Sequence, residues 1–222
     1  MSVKHVVVKI TLLALTWCIW LWVLNQSFTT IVNLCILVGS LLLVFPIVWL
    51  GRKILDRQPT TSRAVWITTF VQFGVGNLFA VAIIQAITTH QDWSDWVLPV
   101  PAEIGLSLVI ITGTATLLTV VNLALKGLGA PFFIVLSRKL AVDWSYAWTR
   151  NPMVLAALAF LLSLGIWYQS VLFVLWALLL FAPALLFFVK VYEERELEIR
   201  FGASYLEYKS RTPMLFPRKP RG

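Results

Sequence analysis

Apolar residues run along this chain in long windows, and polar residues collect between them. Four windows approach or exceed the roughly 20 residues that a helix needs to cross the ~30 Å hydrocarbon core of a bilayer. They are residues 6–24, 31–50, 64–87 and 104–125. A fifth, 153–166, is short, and a sixth, 171–189, is long enough. Only Trp167, Tyr168, Gln169 and Ser170 separate these two, which predicts a helical hairpin. Strands are disfavoured, because the windows are too long, lack period-two alternation and would leave sheet edges unpaired in lipid. The pattern predicts an all-α polytopic membrane bundle. It has five to six transmembrane helices, a C-terminal hairpin and a cytoplasmic C-terminal helix. Residues 6–24 lack a small-residue cleavage pattern and exceed a typical signal-peptide core, so they are expected to stay as a first span.

Composition agrees with this reading. Of 222 residues, 59% are apolar and 13% charged, and the mean hydropathy is +0.86. An ordinary soluble domain carries about twice that charge. The net charge of +8 changes the picture only once its distribution is known. Lys4 and Lys9 precede or open the first span, and Arg52, Lys53, Arg57 and Arg63 lie between spans two and three. Lys126, Arg138, Lys139 and Arg150 lie between spans four and five, and the other eight follow span six. The intervening loop, residues 88–103, carries only Asp92, Asp95 and Glu103 as charged residues. The positive-inside rule then places both termini in the cytoplasm. Anionic lipids at that face are the expected partners of the basic residues, Arg218, Lys219 and Arg221 of the tail among them. No nucleic-acid motif is present, and no nucleic-acid partner is expected.

Several chemistries are excluded. Two Cys, Cys18 and Cys35, lie inside predicted spans, and two His, His5 and His90, lie at opposite ends of the topology. No metal-ligand spacing exists, so no metal is expected. The Cys are read as small buried hydrophobes. No span carries a mid-membrane charge of the kind a proton pump uses. Gln72, Asn77, Gln85 and Asn122 are read as hydrogen-bonding glue between helices.

Polar chemistry concentrates in two segments flanking the hairpin, 126–152 and 190–217, which its return brings to one membrane face. The chain therefore divides into an N-terminal part, 1–125, with spans one to four, and a candidate catalytic part, 126–222. In the second segment Leu197, Phe201, Tyr205 and Tyr208 give an apolar helix face near the interface. Gly202 is expected to break or cap that helix, and Glu196–Arg200 is an expected ion pair. Glu193 and Glu194 stand at the mouth of the bundle opposite Arg150. Charge there is costly unless it is paired or binds something.

These residues carry a resemblance. Residues 146–153, Tyr-Ala-Trp-Thr-Arg-Asn-Pro-Met, resemble the Y-x-x-x-R-[HN]-P stretch of the integral membrane methyltransferases. That family includes the isoprenylcysteine carboxyl methyltransferases and the phospholipid methyltransferases. Glu193-Glu194, Leu197, Phe201-Gly202, Tyr205, Tyr208 and Pro213 resemble the same family's tail. Gly127-Leu128-Gly129-Ala130-Pro131 resembles a G-x-G-T-P element of bacterial members. The resemblance covers residues 122–217. Two departures stand out: Asn151 replaces the His usual in the isoprenylcysteine branch, and Asp143-Trp144-Ser145 stands where a Gly-containing turn is frequent.

The resemblance implies S-adenosylmethionine as cofactor and methyl transfer to a lipophilic acceptor entering from the bilayer, either an isoprenylcysteine-like carboxylate or a lipid amine. It implies Arg150 and Glu194 as catalytic residues, with Arg150 also on a carboxylate of cofactor or acceptor. Glu193 and Glu194 would accept hydrogen bonds from ribose hydroxyls or the amino group. Tyr146, Trp148 or Tyr205 would face the sulfonium by cation–π attraction. Gly127 and Gly129 would let backbone approach the cofactor. Asn151 also belongs to the cofactor-binding set, and Pro152 would start span five. Two alternatives stand beside this reading: an NADPH-dependent membrane reductase of the sterol-reductase type, and a non-enzymatic membrane scaffold.

Overall fold

The computed structural model describes residues 3–93, 96–127 and 139–219. Gly129, Ala130 and Pro131 of the glycine element lie outside the described residues. Helix α1 (Val3–Leu24), α2 (Thr30–Arg57), α3 (Thr61–Thr89) and α4 (Ala102–Gly127) correspond to the four long windows. A one-turn helix α5 (Ser145–Trp148) precedes α6 (Pro152–Trp167). Helix α7 runs through Val171–Phe201 and α8 is Ala203–Arg211. Five of these helices are long and apolar enough to cross a membrane, and α6 is shorter. The described residues contain no strand, only an isolated bridge between Val97 and Ser170. The all-α membrane bundle is what the apolar windows predict.

The core lies among α2, α3, α6 and α7. Val44, Val48 and Leu55 of α2, Ala82 and Ala86 of α3, and Phe173 and Ala184 of α7 are fully enclosed. Lipid solvates apolar faces as well as protein does, so small residues and polar contacts must supply the specificity between helices. Asn77 and Gln85 act in this way, whereas Gln72 Oε1 is buried without a hydrogen-bond partner. Asn77 Nδ2 of α3 donates to Thr16 Oγ1 of α1 at 3.2 Å. Gln85 Nε2 donates to Asn33 Oδ1 of α2 at 2.7 Å. Trp176 Nε1 of α7 donates to the Leu37 carbonyl of α2 at 3.3 Å. Cys18 and Cys35 differ from expectation: both are exposed on the outside of their helices, where lipid would surround a small hydrophobe as readily as protein.

Helix α7 carries two π-helical turns, Ala177–Phe181 and Val189–Glu193. Pro183 accounts for the first, since it has no N–H and its ring crowds the carbonyl one turn back. Widening the preceding turn absorbs that mismatch. The second directly precedes Glu194.

At the face away from the basic residues the hairpin turn is pinned. Leu98 N–H donates to the Gln169 carbonyl at 2.8 Å, and Val171 N–H to the Trp96 carbonyl at 3.1 Å. Gln169 Nε2 donates to the Val100 carbonyl at 2.7 Å, and the His90 and Tyr168 rings stack at 3.9 Å. Gly105 lets α4 meet this turn closely: a Cβ there would lie 2.4 Å from Trp167 Cα. With the hairpin fixed at that end, its other end holds residues 145–152 beside the exit of α7.

Candidate active site

The site is built on the start of α6 and the end of α7. Pro152 occupies the first turn of α6, where its missing N–H is harmless and its φ suits a helix start. Two residues before it, Arg150 extends a side chain only 10% exposed toward Glu194. Arg150 Nη2 lies 2.9 Å from Glu194 Oε1. Oε1 is buried and makes no aligned hydrogen bond, so the contact is ionic. Lys209 Nζ of α8 reaches Glu194 Oε2 at 2.8 Å and Glu198 Oε1 at 2.9 Å. One buried carboxylate thus holds two cations from two segments, one of them 44 residues before it in sequence.

Arg150 is not satisfied by this pairing. Its Nε and Nη1 are buried without a hydrogen-bond partner. Unpaired buried N–H groups are expensive, and a guanidinium with two such nitrogens is a ready donor to an anionic or carbonyl oxygen.

The neighbouring acids are disposed differently. Glu196 is buried and held by Arg200 Nη1 at 2.7 Å, the pair expected from the i,i+4 spacing. Glu193 is half-buried and makes no ion pair among the described residues. Its charge reaches Tyr146: burial first, then Glu193, pushes that phenol well above its usual range. Tyr205 is pushed up in the same way, by burial and then Glu194. Both phenols therefore stay neutral. Burial opposes the charge of Lys209, but its hydrogen bonds to Glu194 and Glu198 outweigh that and raise it above the ordinary lysine value.

Gly202 ends α7 with φ +55° and ψ −128°, a region that residues with a Cβ rarely enter. The expected break is there, and it divides the apolar face. Leu197 and Phe201 remain half-buried on α7, whereas Tyr205 and Tyr208 turn inward on α8. Tyr208 Oη donates to the Tyr146 carbonyl at 2.7 Å.

After α8 the chain lies along residues 148–151 as a strap. Arg150 N–H donates to the Pro213 carbonyl at 2.9 Å, and Arg218 N–H to the Trp148 carbonyl at 3.0 Å. Thr149 Oγ1 and Asn151 Nδ2 both donate to the Met214 carbonyl, at 3.1 and 2.9 Å. On the other side, Asn122 Nδ2 of α4 donates to Ser145 Oγ at 2.7 Å.

The structure brings Tyr146, Arg150, Pro152, Glu194 and Tyr205 into one buried neighbourhood, with Glu193 beside it. It leaves Trp148 48% exposed. It commits the Asn151 amide to the strap. Gly127 is the last residue of α4. Lys209 and Thr149 were not singled out as site residues from sequence. Lys209 falls within the tail pattern, but nothing in that pattern says which carboxylate it meets.

The segment that carries this arrangement is also the one that matches a known family. Residues 101–204 match the family model of the phospholipid methyltransferases. That is the family of integral membrane methyltransferases which the Arg-Asn-Pro and Glu-Glu motifs resemble. The phospholipid methyltransferase match begins just before α4, takes in α5, α6 and α7, and ends in α8. No curated protein and no solved structure matches the chain. Arg150 and Glu194 meet inside the matched stretch, in a bundle with five helices long and apolar enough to cross a membrane.

Proposed function

We propose that this protein transfers a methyl group from S-adenosylmethionine to the amine of a phospholipid-like headgroup. One observation carries the reading: a buried Arg150, within the family segment, has one nitrogen on Glu194 and two without a partner. The unpaired N–H groups suit the methionyl carboxylate of the cofactor, which supplies an activated methyl group on a sulfonium. Glu194 holds the guanidinium in place and is in turn held by Lys209. Glu193, which has no cation of its own among the described residues, accepts hydrogen bonds from the cofactor's ammonium or ribose hydroxyls. The neutral Tyr146 and Tyr205 line the site without adding a second anion, and their ring faces suit a sulfonium. Displacement at a methyl carbon needs alignment and a suitable field rather than a protein nucleophile. The headgroup amine must arrive as the free base, since a protonated amine has no electron pair to offer.

Element lengths support acceptor entry from the bilayer. Helix α6 has 16 residues, about 24 Å at 1.5 Å per residue, which is short of the ~30 Å core. With its turn at the opposite interface, a site at its start would sit just inside the acyl boundary, within reach of a headgroup of the same leaflet. In this reading the basic face is cytoplasmic, both termini lie there, and the soluble cofactor arrives from that side.

The test is calorimetric titration of detergent-solubilised protein with S-adenosylmethionine, S-adenosylhomocysteine and NADPH. Label transfer from methyl-labelled S-adenosylmethionine to phosphatidylethanolamine and to a prenylcysteine analogue follows. Binding of the two adenosyl ligands with label in the lipid amine is expected. No adenosyl binding overturns the reading, and label in the prenylcysteine alone overturns the acceptor.

A further inference from the structure

The last two turns of α2 hold an open groove outside the candidate active site. It is lined by Trp49, Arg52, Lys53, Asp56 and Arg57. These positions repeat at three- and four-residue steps, so they share one side of the helix. The opposite side carries Val48, Gly51 and Leu55 into the core. The groove is therefore an outward surface at the basic end of a spanning helix.

Its single carboxylate is already used. Asp56 Oδ2 takes Arg52 Nε at 2.5 Å, and Oδ1 takes Arg195 Nε of α7 at 2.8 Å. Arg52 is fixed further by donating from Nη1 to the Val191 carbonyl at 2.9 Å. Lys53 and Arg57 are exposed and meet no carboxylate among the described residues. Lys53 Nζ lies 5.0 Å from the centre of the Trp49 ring, which holds the ammonium at the groove's edge. Trp49 itself is 58% exposed. Along the helix the surface changes within two turns from an open aromatic to two exposed cations.

We propose that this groove binds one anionic glycerophospholipid of the adjoining leaflet. Its phosphate sits against Lys53 and Arg57, and the start of an acyl chain lies along Trp49. Charge complementarity selects the headgroup, because Lys53 and Arg57 meet no carboxylate among the described residues and the groove's own carboxylate is already shared by two arginines. The exposed indole selects a lipid over a free anion, since an aromatic ring at the interface gains nothing from phosphate alone. None of the groove's residues belongs to the methyl-transfer site, so the inference stands apart from that reading.

Native mass spectrometry of the full-length protein, released from a neutral detergent, tests it. Phosphatidylglycerol, phosphatidylcholine with the same acyl chains, and inorganic phosphate are each titrated. One retained phosphatidylglycerol per chain is expected, with neither of the others retained. Lys53→Gln/Arg57→Gln should weaken that binding about thirtyfold, the attraction of two cations to an anionic surface. Trp49→Ala should weaken it as well. Arg218→Gln/Lys219→Gln removes equal charge from the tail and should leave it intact. The site is ruled out if the groove double variant binds like the parent, if the tail variant loses as much, or if phosphatidylcholine or phosphate binds equally well. Lys53 and Arg57 are exposed, so their replacement leaves folding intact, and a monodisperse helical protein confirms this.

Discussion

Arg150 and Glu194 show how a residue's surroundings set the form of its test. The pair is buried, and removing one partner strands the other charge at a cost of about 3–5 kcal/mol. Arg150→Ala would therefore report on folding as much as on chemistry. Arg150→Lys keeps the charge but gives up the planar donor set. Its folded fraction should match the parent, while S-adenosylhomocysteine affinity, read by calorimetry, falls about tenfold or more. Unchanged affinity would remove Arg150 from the cofactor site. Trp144 offers the opposite case. Its φ is +55°, a backbone region that favours glycine. That backbone costs about 1–3 kcal/mol in a residue with a Cβ. The ring's gains are exposure at the surface and Lys126 Nζ at 5.5 Å, a contact worth about 0.5–1 kcal/mol. Trp144→Gly should thus match or exceed the parent's thermal midpoint in detergent. A clear drop would mean that the indole packs more usefully than its exposure indicates.

At the scale of elements, two glycines separate steric from conformational cost. A Cβ on Gly105 would meet backbone atoms of Trp167 at 2.4 and 2.5 Å, and backbone cannot yield as a side chain does. Gly105→Ala should lower stability by about 1–3 kcal/mol. Gly39→Ala, with nothing within 4 Å of the added carbon, should not. Thermal unfolding of the two variants side by side checks this. Gly202 has equal space around it but the wrong φ for alanine. Gly202→Ala should leave α1 to α7 folded and loosen α8, visible as faster hydrogen exchange over residues 203–211. The sequence marks both ends of α7 but not its interior. Apolar periodicity is blind to a π turn, so the widening at Val189–Glu193, which precedes the acids, was not legible from it.

At the scale of the molecule, the strap joins the last residues to the site. Four hydrogen bonds between residues 213–218 and Trp148 through Asn151 hold it there. A chain ending after Thr212 should still enter the membrane, yet exchange amide hydrogen faster at residues 146–151 and bind S-adenosylhomocysteine more weakly. Full retention of both would reduce the strap to surface packing. Alkali should act on α8 in a defined window. The raised Lys209 contributes fully below the ordinary lysine value of about 10.4 and is lost only as pH climbs through its folded value. Protection of α8 should accordingly stay level from pH 7 to about 10 and fall above it. The sequence alone determined the helical bundle, a count of five to six spans, the hairpin and the charge map, because a helix crossing lipid must satisfy its own backbone and be apolar along its length. Both conditions are written locally. It also brought Arg150 and the Glu-Glu pair to one face, through the topology of the hairpin. Only the tertiary structure decided that Glu194 rather than Glu193 takes Arg150, that Lys209 joins them, and that Asn151 serves the strap. Those choices depend on side-chain direction across segments tens of residues apart, on a π turn and a broken helix end, and no local pattern encodes them.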